Sequence, residues 1–147
     1  MEWSASVPIS APPEVVWAVM AEVEAWPEWT ASVRSIVRVD PGPLHVGQRL
    51  RISQPRFPTT VWTLTELVER SVFVWVAGGP GARTTARHEL EPSGAGTLVT
   101  LRLTQQGPLG LLVGALSSKV TKRYLELEST GLKRRSEERA AGVGERG

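Results

Sequence analysis

Hydrophobic and polar positions alternate from Trp3 to Ile9. Trp3, Ala5, Val7 and Ile9 fall on one side and Ser4, Ser6 and Pro8 on the other, which predicts a half-buried strand with Pro8 at an edge or at its end. The period then changes. Ser10-Ala11-Pro12-Pro13 opens a helix, because proline is tolerated in a first turn and Glu14 stands near the positive end of the helix dipole. Val16, Val19, Met20 and Val23 recur at helical spacing and mark its inner face. Trp26-Pro27-Glu28-Trp29 stops this helix, since a residue before proline avoids the α region, and a short second helical turn is expected to follow.

From Ser32 to Gln105 the pattern is one of strands: Val33 to Asp40, Gln48 to Gln54, Thr59 to Glu69, Val72 to Ala77, Arg83 to Glu91 and Thr97 to Gln105. Pro41-Gly42-Pro43, Pro55 to Pro58, Glu69-Arg70-Ser71, Gly78-Gly79-Pro80-Gly81 and Pro92 to Gly96 separate them with turn chemistry. Connections this short favour consecutive antiparallel pairing, a meander. After Gly107-Pro108 the period returns to 3.6. Leu109, Leu112, Val113, Leu116, Val120, Tyr124 and Leu127 share one broad face of a helix about twenty-five residues long. Gly110, Gly114 and Gly131 each weaken that helix by about 1 kcal/mol relative to alanine, so they mark close approaches or a bend.

Composition narrows the chemistry. The chain has 147 residues, 41% hydrophobic and 22% charged, with six Trp against two Phe and one Tyr, and no cysteine. One domain over residues 1–139 with a fraying tail at 140–147 is expected. A disulfide scaffold, a cysteine zinc site and a cysteine nucleophile are excluded. Seventeen Lys+Arg against fifteen Asp+Glu leave +2, and the basic residues are scattered until Lys133-Arg134-Arg135, which Glu137 and Glu138 follow, so no nucleic-acid partner is expected. No stretch approaches the roughly twenty apolar residues of a membrane span, and the start lacks a charged and then apolar leader. A cytoplasmic location without stable membrane insertion is the expectation.

The order strand, helix, helical turn, six strands, long helix resembles the SRPBCC superfamily, also called START-like or birch-pollen-allergen-like, and within it the polyketide cyclase/dehydrase branch. Ile9-Ser10-Ala11-Pro12-Pro13-Glu14-Val15-Val16-Trp17 and Trp26-Pro27-Glu28-Trp29 carry the resemblance. Val46-Gly47-Gln48-Arg49, Trp62 to Glu66, Gly96 to Thr100 and Gly107-Pro108-Leu109 are similar to family landmarks too. The resemblance implies an α+β helix-grip fold: a curved antiparallel sheet of about seven strands wrapped around a long C-terminal helix, with two short helices after the first strand. It also implies a hollow between sheet and helix, the usual form of a small-molecule site.

Strand parity gives the expected lining. Trp62, Leu64, Glu66 and Val68 share one side of their strand; Thr84, Ala86, His88 and Leu90 oppose Arg83, Thr85, Arg87 and Glu89; Val99, Leu101, Leu103 and Gln105 oppose Leu98, Thr100, Arg102 and Thr104. Both faces of Val72 to Ala77 are apolar, and the resemblance turns Phe73 and Trp75 inward. Trp26 and Trp29, which flank Pro27 beside the expected mouth, form either a packed corner or a gate. The expected ligand contacts are Trp29, Trp62, Leu64, Phe73, Trp75, Thr84, Ala86, His88 and Leu101, with Leu112 and Leu116 from the last helix. His88 is the main candidate for proton transfer, or else a satisfied core histidine; Glu66 either partners it or is bonded to an arginine. Two histidines, His45 in a turn and His88 on a strand, assemble no metal motif, and no P-loop, dinucleotide fingerprint or nucleophile elbow is present, so neither metal nor cofactor is expected.

Three functions follow. The first is binding of a hydrophobic small molecule, aromatic, polyketide, lipid or isoprenoid-like, in the hollow. The second is a polyketide cyclase or dehydratase using His88. The third is a non-enzymatic module in which Leu111, Leu125 and Leu132, opposite the main face of the last helix, and Lys133-Arg134-Arg135 dock a partner, a second copy in a homodimer or an anionic membrane surface.

Overall fold

A computed structural model describes residues 1–146. Seven strands form one antiparallel sheet: β1 (Glu2–Ile9), β2 (Ser35–Arg38), β3 (Arg49–Ser53), β4 (Thr60–Val68), β5 (Val72–Gly78), β6 (Arg83–Ser93) and β7 (Gly96–Gln106). Their spatial order is β1-β7-β6-β5-β4-β3-β2, so β2 to β7 run as the expected meander and β1 returns beside β7, with Pro8 on an edge. Helix α1 (Pro13–Ala21) follows β1, and α2 (Pro108–Arg146) closes the chain. This is the helix-grip architecture.

Helix α1 packs Val16, Val19 and Met20 into the core, and Trp17 joins them with its ring edge on Phe73. It stops at Ala21, earlier than the Trp-Pro-Glu-Trp segment, and the second turn does not follow that segment but is a 3-10 helix over Val23–Glu28 that takes in Trp26 to Glu28, with Trp29 as its C-cap. The indole N–H of Trp26 donates to Met20 O at 2.9 Å, satisfying one of the carbonyls that the end of α1 leaves open.

Two expectations are corrected by packing. The first concerns α2, which has 39 residues and continues helical past Arg139 to Arg146. Its buried side is not the Leu109/Leu112/Leu116 row but Gly110, Gly114, Thr121, Leu125, Ser129, Leu132 and Ser136. A Cβ on Gly114 would stand 2.9 Å from the Trp3 ring, and one on Gly131 would collide with the Trp29 carbonyl. The helix therefore approaches the body through its small residues, while Leu109, Leu112 and Leu116 are exposed. Leu125 and Leu132, expected to face outward, are core anchors. The basic trio beside them is engaged within the molecule: Lys133 with Glu137 at 2.6 Å, Arg134 with the Trp29 carbonyl at 3.3 Å, and Arg135 with Glu28 at 2.6 Å.

The second concerns β4. A bulge shifts the register between Leu64, which pairs with Trp75, and Glu66, which pairs with Val74. One extra residue exchanges the two faces of a strand. Leu67 thus packs on the core, whereas Glu66 and Val68 leave the inner face. Among the described residues no helix is long and apolar enough to cross a membrane.

Candidate functional site

Helix α2 leans on β1, β7 and α1 rather than lying along the middle of the sheet. The concave face of β3 to β6 is left partly uncovered, and the gap is a cavity of about 280 Å³. That is far above the roughly 10–15 Å³ needed for one water and near the lower end of small-molecule pockets, about 300 Å³. Trp62, Trp75, Thr84, Ala86, His88 and Leu101, all expected there, do line it.

The other expected contacts lie elsewhere. Leu64 and Phe73 are fully buried beneath the cavity wall. Trp29 packs on Trp26, ring centroids 5.1 Å apart, and it is Trp26 that reaches the cavity. Leu112 and Leu116 point away from the body, 58% and 80% exposed. Glu66 accepts a hydrogen bond from Arg87 Nη1 at 2.9 Å on the outer face, within a chain of ion pairs that continues through Glu89 and Arg102 to Glu2. It therefore does not meet His88.

His88 sits in an aromatic box. Its ring stacks on Phe73 at 4.1 Å and meets Trp26 and Trp75 edge-on at 5.6 and 5.2 Å. Nδ1 lies 3.1 Å from Phe73 O. A carbonyl only accepts, so Nδ1 carries the proton and Nε2 is left as an acceptor. Burial pushes the pKa down from 6.5 to about 4, with the Phe73 hydrogen bond opposing it, so the ring is neutral at physiological pH and a weak base there. Nearby, Thr84 Oγ1 donates to Gln105 Oε1 at 2.8 Å, which fixes two further polar groups of the lining.

Sequence reasoning missed the carboxyl of the site. Glu128 of α2 lines the cavity, with Ser32 Oγ donating to Oε1 at 3.2 Å and Thr30 Oγ1 2.8 Å behind Ser32 Oγ. Ser32 and Thr30 are buried. Burial pushes Glu128 up from 4.5 to about 7, and the Ser32 hydrogen bond pulls the other way. Tyr124, one turn earlier, also lines the cavity; its hydroxyl donates to Pro55 O and its ring meets Phe57 edge-on at 5.7 Å. Glu128 is hidden when the face of α2 is taken from hydropathy, whereas Tyr124 belongs to that apolar row. The signal that finds Glu128 is the glycine and serine spacing of Gly110, Gly114, Ser129 and Ser136, which marks the side of closest approach. Among the described residues no group of three or more His, Cys, Asp or Glu side chains is gathered as a metal would require.

A sheet gripping one long helix, with an aromatic-walled hollow between them, defines the helix-grip class of proteins. The chain belongs to the family described as polyketide cyclase / dehydrase and lipid transport, which matches residues 2–137. Its fold is similar to TTHA0849 from Thermus thermophilus (24% identity, TM-score 0.73, covering 92% of this chain and 97% of that one). It is also similar to Ara h 8.0201 (12%, 0.65, covering 90% and 97%). A third likeness is to the di-domain ARO/CYC StfQ from the steffimycin biosynthetic pathway (16%, 0.74, covering 95% of this chain), of which the chain spans about half, 51%. No curated protein matches the chain.

Proposed function

We propose that the protein binds a small, mainly apolar molecule in the cavity between its sheet and α2. The observation that carries this reading is the cavity itself: about 280 Å³ walled by Trp26, Trp62 and Trp75, held open because α2 meets the sheet through β1 and β7. Indole faces offer flat apolar area at little conformational cost, which suits a planar or cyclic body. His88 Nε2 supplies an acceptor inside that wall, and the family, whose description includes lipid transport, supports a ligand of this kind. Titration with N-phenyl-1-naphthylamine, a neutral probe that fluoresces in apolar surroundings, tests the reading. Saturable one-to-one binding that Trp75→Ala weakens at least tenfold, in a variant still folded by circular dichroism, is the expected result; absence of binding overturns it.

Cyclase or dehydrase chemistry on a polyketide-like chain is the second reading, favoured by the family description. A cavity of this shape would contribute by holding two reacting carbons of a folded chain together. With its pKa near 4, His88 serves that reading as an acceptor that orients the chain rather than as the base. Product profiles of wild type and His88→Phe with a model polyketide test it: unchanged products at unchanged rate remove His88 from the reaction.

A further inference from the structure

A carboxyl is out of place in a wall of tryptophans, since leaving an ionised group there without a partner is costly and burial normally selects against it. Glu128 is nevertheless held in position: Ser32 donates to it, Thr30 backs Ser32, and both hydroxyl residues are buried. The pair orients Oε1 but supplies no positive charge. Among the described residues no cation balances Glu128; its ionisation is governed by burial and by the Ser32 hydrogen bond. Arg87 and Arg102 are themselves part of the cavity lining, but their guanidinium groups are paired with Glu66, Glu89 and Glu2 on the outer face, and Arg34 and Arg56 act on the Tyr124 hydroxyl. His88, also in the lining, is neutral down to about pH 4.

An oriented carboxyl lacking a counter-ion, in a cavity that Trp26, Trp62 and Trp75 also line, is the chemistry that receives an organic cation, because the carboxylate supplies the charge and the rings attract the ammonium face-on. We infer that the cavity selects ligands whose apolar body carries an ammonium group, and that Glu128, positioned by Ser32 and Thr30, is the residue that reads it. The inference rests on the ligand-binding reading above and narrows its ligand class from neutral apolar molecules to amines.

The test uses a matched pair, 2-(2-naphthyl)ethylamine and 2-(2-naphthyl)ethanol, titrated calorimetrically into the intact chain at pH 6 and pH 8. An alkylammonium, like that of lysine with its pKa of about 10.4, stays charged over this range, so the pH dependence reports the protein. The ionised fraction of a carboxyl titrating near 7 rises about tenfold from pH 6 to pH 8. The amine is therefore expected to bind about tenfold more tightly at pH 8, and the alcohol to change by less than about threefold. Glu128→Gln, which keeps an acceptor for Ser32, reduces the amine to the affinity of the alcohol at both pH values and leaves the alcohol bound, showing that the cavity is intact. Amine binding that ignores pH, or that survives Glu128→Gln, overturns the inference while alcohol binding leaves the apolar-ligand reading standing. If neither probe binds, both fall.

Discussion

Glu128 and His88 make opposite demands on stability, and separating them gives a sharp prediction. Glu128 is raised from 4.5 to about 7, so the stability tied to its neutral form is fully present below pH 4.5 and is lost as pH rises through about 7. His88 is lowered from 6.5 to about 4, so its share is present above pH 6.5 and is lost as pH falls through about 4. Each amounts to about 3 kcal/mol at about 1.36 kcal/mol per pH unit. Between pH 4.5 and 6.5 unfolding releases a proton from Glu128 and takes one up at His88, so the two slopes cancel in wild type. Glu128→Gln removes one of them. Its stability relative to wild type should then rise by up to about 1.4 kcal/mol per pH unit from pH 4.5 to 7, reaching about 3 kcal/mol above pH 7. His88→Phe, which keeps a ring stacked on Phe73, should show the mirror image, gaining on wild type as pH falls from 6.5 to 4. Urea unfolding of the three proteins at half-unit steps checks this, and taking differences from wild type removes the common acid response of Asp40, held at about 2 by Arg49, and of Glu137, lowered by Lys133. Curves for Glu128→Gln and wild type that run parallel across pH 4.5–7.5 would refute the placement of this carboxyl.

Further outcomes follow from the packing of α2. Leu132→Ala empties a core position that is 1% exposed and should lose about 2–5 kcal/mol in denaturant unfolding, whereas Leu112→Ala, on the outer face, should stay within about 0.5 kcal/mol. Reversed values would restore the face read from hydropathy. Gly131→Ala should lower stability by about 1–3 kcal/mol despite alanine's better helix propensity, because its Cβ meets the Trp29 carbonyl, a backbone atom that cannot swing aside. A melting temperature that rises in this variant would contradict the close approach.

The fold is legible in the sequence because its signals are local. Turn residues sit between consecutive strands from β2 to β7, proline opens α1, and the alternation of Arg83 to Glu91 places His88 inward without ambiguity. What escapes a sequence reading are the two places where packing breaks a simple period. The bulge after Leu64 reverses parity midway along β4, and no residue type there announces it, so parity carries Glu66 to the wrong face. In α2 the large apolar side chains lie where the helix overhangs the sheet, and the side that touches the body is built largely of glycine, serine and threonine, which hydropathy scores as polar. That one reversal moves Leu112 and Leu116 into the expected site and keeps Glu128 out of it. Six of the eleven expected ligand contacts line the cavity, and all six stand on regular parity in β4 to β7.

The central claim is that apolar ligands enter the hollow rather than settle on the exposed leucines at the start of α2. Intermolecular nuclear Overhauser effects from N-phenyl-1-naphthylamine to the protein test it most directly. The account predicts contacts to the rings of Trp62, Trp75 and Tyr124 and none to the methyl groups of Leu112 or Leu116. Contacts confined to Leu109, Leu112 and Leu116, with the tryptophan signals unmoved, would contradict it.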